Sequence, residues 1–141
     1  VIEFAMTKRI LCATDGSGHA ERAVHQAAEM AAKFNAGLFL LVVNVMHGGR
    51  GPLFPQLRDE EVEEILKNAA AIAARAGFPD PRTAVVQARD PAPAIVEYAA
   101  ANGCDHIVTG TGDKHGLTRL VLGSVASDVV RMANCSVTVA R

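Results

Sequence analysis

Tryptophan is absent from this 141-residue chain, and aromatic residues make up only 4% of it. A core must therefore be built from Ala, Val, Leu and Ile. The 50% hydrophobic content supplies enough of these for a single compact domain spanning residues 1–141. Charge of one sign is also missing: 14 Lys and Arg stand against 15 Asp and Glu, a formal net charge of −1. That balance argues against a nucleic-acid partner held by bulk positive charge. No apolar run reaches the roughly 18–20 residues that cross a bilayer, so no membrane segment is expected. The first residues are too few and too acidic for a secretory signal; residues 1–5 read as a cloning scar before a native start at Met6. The three cysteines, Cys12, Cys104 and Cys135, form no CxxC pair and lie in or beside apolar runs. They read as buried free thiols of a reducing cytoplasm rather than a disulfide framework. The histidines are scattered too. His19 and His25 do not share a helix face at ligand spacing, and no Cys/His pair has zinc spacing, so no metal site is expected.

What the chain does contain is a strict alternation of two apolar periods. Residues 9–13 are a short apolar strand ending at Thr14-Asp15-Gly16-Ser17, a turn in which Ser17 is placed to cap a helix. Ala20, Ala23, Val24, Ala27, Ala31 and Phe34 then recur at helical spacing, and Asn35-Ala36-Gly37 stops that helix. Residues 38–45 form a second strand, apolar except for Asn44, which suits a strand covered on both faces. Residues 47–55 read as a loop. A longer helix starts near Asp59 and is ended by Gly77, Pro79 and Pro81. A third strand over 83–87 leads to Asp90-Pro91, a cap followed by proline at the first helical position, and to a third helix closing at Asn102-Gly103. Residues 106–109 are the fourth strand. A fourth helix is expected over about 120–133 with Leu122 facing inward, and a fifth strand over 136–140. The order β-α-β-α-β-α-β-α-β implies an α/β fold: a five-stranded parallel sheet, doubly wound, with helices on both faces and right-handed crossovers.

In such sheets a ligand sits beyond the C-terminal ends of the strands, where the winding reverses. If the strand order is 3-2-1-4-5, the first and fourth strands are neighbours at that point. The turns after them, Thr14–Ser17 and the loop over residues 110–124, then open into one crevice. The second loop carries Gly110, Gly112, Gly116 and Gly123, and about ten residues separate its strand from its helix against a usual ~2–6. Glycines let backbone N–H groups approach a phosphate, and a helix N-terminus offers unpaired donors and partial positive charge.

Familiar phosphate motifs do not fit this loop. Both the Walker A spacing and GxGxxG fail at His115, where a glycine is needed. No nucleophile elbow, Cys/His pairing or spaced carboxylate pair is visible, so no catalytic residues are assigned.

The loop does resemble that of the universal stress protein family, whose nucleotide-binding members carry Gly, two residues, Gly, nine residues, then Gly-Ser or Gly-Thr. Gly110 and Gly123-Ser124 match at that spacing, as do the Asp15-Gly16-Ser17 turn, Asp90-Pro91-Ala92, and the run from Leu120 to Val125. The resemblance covers essentially residues 7–141 and implies the five-stranded 3-2-1-4-5 sheet. It implies that ATP or a related adenine nucleotide, with Mg²⁺ as a further option, would lie between the first and fourth strands. Asp15 would serve the adenine and ribose end, Val45 would offer backbone contacts to adenine, and Gly110 would line the ribose. Gly123, Ser124 and the amide of Val125 would hold phosphates, with Gly112 lending the loop flexibility. Asp113 stands where the motif's second glycine is expected, so a carboxylate faces the phosphates unless a metal bridges it. Two readings stay open: a regulatory nucleotide binder of the cytoplasmic stress response, at most a slow ATPase by analogy, or a dimeric interaction module without nucleotide. In either case the apolar edge strand over 136–140 suits a homodimer.

Overall fold

A computed structural model describes residues 6–112 and 122–141. Strand β1 (Arg9–Ala13) is followed by helix α1 (Gly18–Phe34), β2 (Gly37–His47), β3 (Phe54–Pro55) and α2 (Asp59–Arg75). Then come β4 (Arg82–Ala88), α3 (Pro91–Ala101), β5 (His106–Gly110), α4 (Ser124–Met132) and β6 (Ser136–Ala140). The five long strands run parallel, as the alternation implies, in the spatial order β4-β2-β1-β5-β6, the 3-2-1-4-5 winding that the family resemblance implies. The sixth strand was not expected. Phe54–Pro55 pairs antiparallel with Met46 and His47 at the end of β2, inside the segment read as a loop. Two residues rich in turn chemistry carry too little periodicity to show as a strand.

Strand alternation divides the core between two helical layers. Ile10 and Cys12 of β1, with Leu38, Leu40 and Val108, pack under α1 and α2. Leu11, Leu41 and Ile107 face the other way, under α3 and α4. The wholly buried side of α1 is almost all alanine (Ala20, Ala23, Ala27, Ala28, Ala31), so this helix lies close on the sheet without aromatic bulk. Phe34 departs from expectation: it is exposed, because α1 ends there and Asn35 turns the chain into the left-handed region at φ 54°.

Helix caps follow the chemistry in part. Ser17 Oγ accepts from Ala20 N at 3.4 Å as expected. Asp90 occupies the N-cap of α3, but its side chain makes no capping bond; Pro91 at the first position leaves one amide fewer to cap. Helix α4 begins at Ser124 rather than near 120, so Leu122 precedes the helix instead of lining its inner face. Of the cysteines, Cys12 and Cys104 are buried as expected, whereas Cys135 is partly exposed in the turn before β6.

Candidate functional site

The C-terminal ends of β1, β2 and β5 open into one cleft of about 370 Å³. All seven residues singled out in the sequence line it: Asp15, Val45, Gly110, Gly112, Gly123, Ser124 and Val125. The winding brings them together from four separate chain segments. Asp113, with Lys114, His115, Gly116 and Arg119, lies outside the described residues.

The turn after β1 is built from its own side chains. Thr14 N donates to Leu41 O at 2.9 Å, and Thr14 Oγ1 accepts from Gly16 N at 3.2 Å. Asp15 Oδ1 accepts from Ser17 N at 2.9 Å, which fixes the carboxylate beside the start of α1. Partial loss of water pushes the Asp15 carboxyl up. Hydrogen bonds from Ser17 and the charge of nearby His19 outweigh that, so its pKa is lowered and it is a carboxylate at neutral pH.

The glycines of the second loop are demanded first by the protein itself. A Cβ on Gly110 would sit 2.6 Å from both Nδ1 and the carbonyl oxygen of His19. Gly123 N donates to Thr111 O at 2.7 Å, and a Cβ on Gly123 would fall 2.8 Å from Gly112 O and 2.9 Å from Gly112 Cα. Gly112 has φ 75° and donates its N–H to His19 Nδ1 at 3.4 Å. Gly112 and Gly123 therefore pinch the two ends of the loop together, and His19 seats the near end against α1.

His19 is a cleft residue that sequence reasoning passed over, having weighed it only as a metal ligand. It lines the cleft, and its Nε2 is buried with no hydrogen-bond partner among the described residues. The signal was its place at the second position of α1, one step past the capping turn.

Across the cleft, Gly123 caps α4 in an extended conformation with no side-chain cap. The first helical bond is Ser127 N to Gly123 O at 3.0 Å, so the amides of Ser124, Val125 and Ala126 have no acceptor within the helix. Donors and helix dipole together suit an anion.

Val45 lines the opposite side, but its carbonyl already accepts from Gln56 N at 2.8 Å. A contact from a ligand to that oxygen would use its second lone pair. The chain carrying Gln56 is held by Asn44, the one polar residue in β2's apolar run. Asn44 Nδ2 donates to Leu57 O at 2.9 Å and Leu57 N donates to Asn44 Oδ1 at 3.0 Å, so the buried amide binds both backbone groups of Leu57. Gln56 and Leu57 thereby become part of the cleft wall.

The chain matches the universal stress protein family over residues 6–141. It belongs to that family. A universal stress protein of Methanocaldococcus jannaschii is 34% identical, over 95% of this chain and 82% of that protein. The structure of a universal stress protein in complex with cAMP aligns with a TM-score of 0.76 at 29% identity, covering 97% of this chain and 98% of that one. That of a universal stress protein from Archaeoglobus fulgidus in complex with dAMP aligns with a TM-score of 0.72 at 25% identity, covering 97% and 100%.

In this universal stress protein the cleft has two chemically distinct ends. Amide donors at the α4 N-terminus favour negative charge, and the ionised Asp15 repels it while accepting from hydroxyl or amino donors. Val43, Leu57 and Ile95 supply apolar wall. Among the described residues, no three His, Cys, Asp or Glu side chains are grouped to hold a metal.

Proposed function

We propose that this universal stress protein binds ATP or a related adenine nucleotide in the cleft beside β1 and β5, acting as a regulatory homodimer in the cytoplasmic stress response. The observation that carries the reading is the convergence of Asp15, Val45, the loop glycines and the uncapped α4 N-terminus on one cleft. Its volume, about 370 Å³, falls within the ~300–1,000 Å³ of small-molecule sites. Asp15 would take the ribose or base, since a carboxylate beside phosphate costs ~1 kcal/mol or more. Ser124 and Val125 amides would take the phosphates, Gly110 the ribose, and Val45 the base edge. Mg²⁺ would travel with the phosphates of a triphosphate. The role is binding, with no catalytic residue assigned.

The dimer reading rests on β6. It pairs with β5 on one side, and no strand among the described residues pairs with its other edge. Sedimentation at micromolar concentration should give a dimer; a monomer would remove this part of the reading.

Mass spectrometry of the purified protein should find a co-purifying adenine nucleotide. Calorimetry with ATP, with and without Mg²⁺, should give a saturable heat that Ser124→Pro, which removes an amide while suiting a first helical position, weakens. No heat with ATP, AMP or cAMP at millimolar concentration would favour the interaction module without nucleotide.

A further inference from the structure

A second cavity, about 120 Å³, lies away from the cleft on the face of the sheet that α3 and α4 cover. Cys104 and Cys135 both line it, with Ile107 and Ala133. Cys104 precedes β5 and Cys135 precedes β6; these strands are adjacent and parallel, with His106 opposite Ser136. Both cysteines thus stand just ahead of the same end of this strand pair, Cys104 two residues before β5 and Cys135 one before β6. Neighbouring strands lie ~4.8 Å apart, so the chain segments entering them start side by side. Disulfides span Cα separations of ~4.4–6.8 Å. Both side chains belong to one apolar cluster, so they face the same layer. Cys104 is buried, Cys135 is partly exposed, and both are free thiols.

We propose that Cys104 and Cys135 are a disulfide-forming pair that closes when the protein meets a hydroperoxide. Cys135, the one open to solvent, reacts first. Its sulfur attacks a peroxide oxygen, an S–O bond forms, the O–O bond breaks, and the departing oxygen takes the thiol proton and leaves as alcohol or water. Cys104 then attacks the sulfenic sulfur of Cys135. The S–S bond forms as the S–O bond breaks, and hydroxide leaves with the second thiol proton as water. Two thiols are oxidised by two electrons, and one hydroperoxide is reduced.

The surroundings set the rate. Burial pushes the Cys104 thiol up to about 11; Arg9 pulls it down, while Asp105 and Cys135 add to the rise. Burial and then Asp105 raise Cys135 as well. Few thiolates are present at neutral pH, so closure is slow and speeds up as pH rises. The bridge would tie the start of β5 to the start of β6, the strands on either side of α4, whose first residues Ser124 and Val125 line the cleft.

The folded full chain, treated with hydrogen peroxide at pH 8, should lose ~2 Da per chain as two thiols become one disulfide. Peptide mapping should find Cys104 joined to Cys135. Cys12, buried under the opposite helical layer, should remain a thiol, titratable after unfolding. Cys104→Ser should abolish the mass loss and leave Cys135 as an overoxidised acid. Cys135→Ser should leave Cys104 reduced. The proposal is overturned if the native chain gains oxygen at Cys135 with no bridge, links only between chains, or stays fully reduced while the urea-unfolded chain oxidises.

Discussion

Replacing Gly110 with alanine separates the two explanations for a glycine at this position. A ligand-approach role predicts that the change matters only when nucleotide is bound. The geometry says otherwise: the new methyl would lie 2.6 Å from His19 O, 2.6 Å from His19 Nδ1 and 2.8 Å from the His19 carbonyl carbon. Two of these are backbone atoms of α1, which cannot swing aside as a side-chain tip would. Overpacking of this kind costs ~1–3 kcal/mol. Unfolding entropy is ~2.1 cal/mol/K per residue, or roughly 0.3 kcal/mol/K for 141 residues, so Tm should fall by ~3–10 °C. Calorimetric melting of nucleotide-free protein is the assay. The double variant His19→Ala with Gly110→Ala should recover only part of the loss, because the ring is removed while the carbonyl stays. A Gly110→Ala protein melting within a degree of wild type would refute the reasoning. Full recovery in the double variant would assign the clash to the ring alone.

Asn44→Ala would strip both partners from the backbone of Leu57 and leave a buried void; at ~1–3 kcal/mol for each unsatisfied group, urea denaturation should show a loss of at least a few kcal/mol, and nucleotide affinity should fall with it. Asp15 has a lowered folded-state pKa, so its contribution to stability is fully present above the unfolded value near 4 and is lost as pH falls through the folded value. Asp15→Asn should therefore flatten the acid limb of a stability–pH curve below pH 4. Cys12 has the opposite sense: burial holds it as a thiol up to about 12, while in the unfolded chain it ionises near 8.5–9. Above that pH the unfolded state sheds a proton that the folded state keeps, so stability should fall by up to about 1.4 kcal/mol per pH unit, and Cys12→Ala should reduce that slope.

Much of this architecture was legible because local signals agreed. The apolar runs of β1, β2 and β5 alternate with alanine-rich helical stretches, and such alternation leaves few windings open. Phe34 keeps the helical period but is exposed because it is the last residue of α1, where Asn35 turns the chain away. Residues 54–55 were missed because a two-residue strand has no period to detect. The start of α4 was placed too early because Leu122 and Val121 extend the apolar pattern, while the backbone begins to coil only after Gly123. Asn44 showed as a polar residue in an apolar strand. Its partner, Leu57, is 13 positions away, and nothing local in the sequence names it. His19 had a local signal in its place just past the capping turn, but its contacts with Gly110 and Gly112 are made only where the sheet brings them beside it.

The glycine pattern over 110–124 points to phosphate, and the family resemblance adds Asp15 and Val45, yet the glycines are explained at closest range by protein packing on protein. The two accounts are linked. Gly112 and Gly123 must touch for the loop to close on a narrow neck, and closing it sets Gly123 as the uncapped start of α4. Any side chain able to cap that helix would be one that Gly112 leaves no room for. The amides of Ser124 and Val125 stay available because the neck excludes the residues that would satisfy them. An anion-binding helix end is thus a consequence of a tight backbone crossing. Changing Gly123 to serine tests both at once: its hydroxyl would supply the cap while its Cβ meets the Gly112 carbonyl at 2.8 Å. Stability should fall through the clash, and anion affinity should fall further than stability alone accounts for. A variant that keeps full nucleotide affinity at reduced stability would show that the helix end is not where the anion sits.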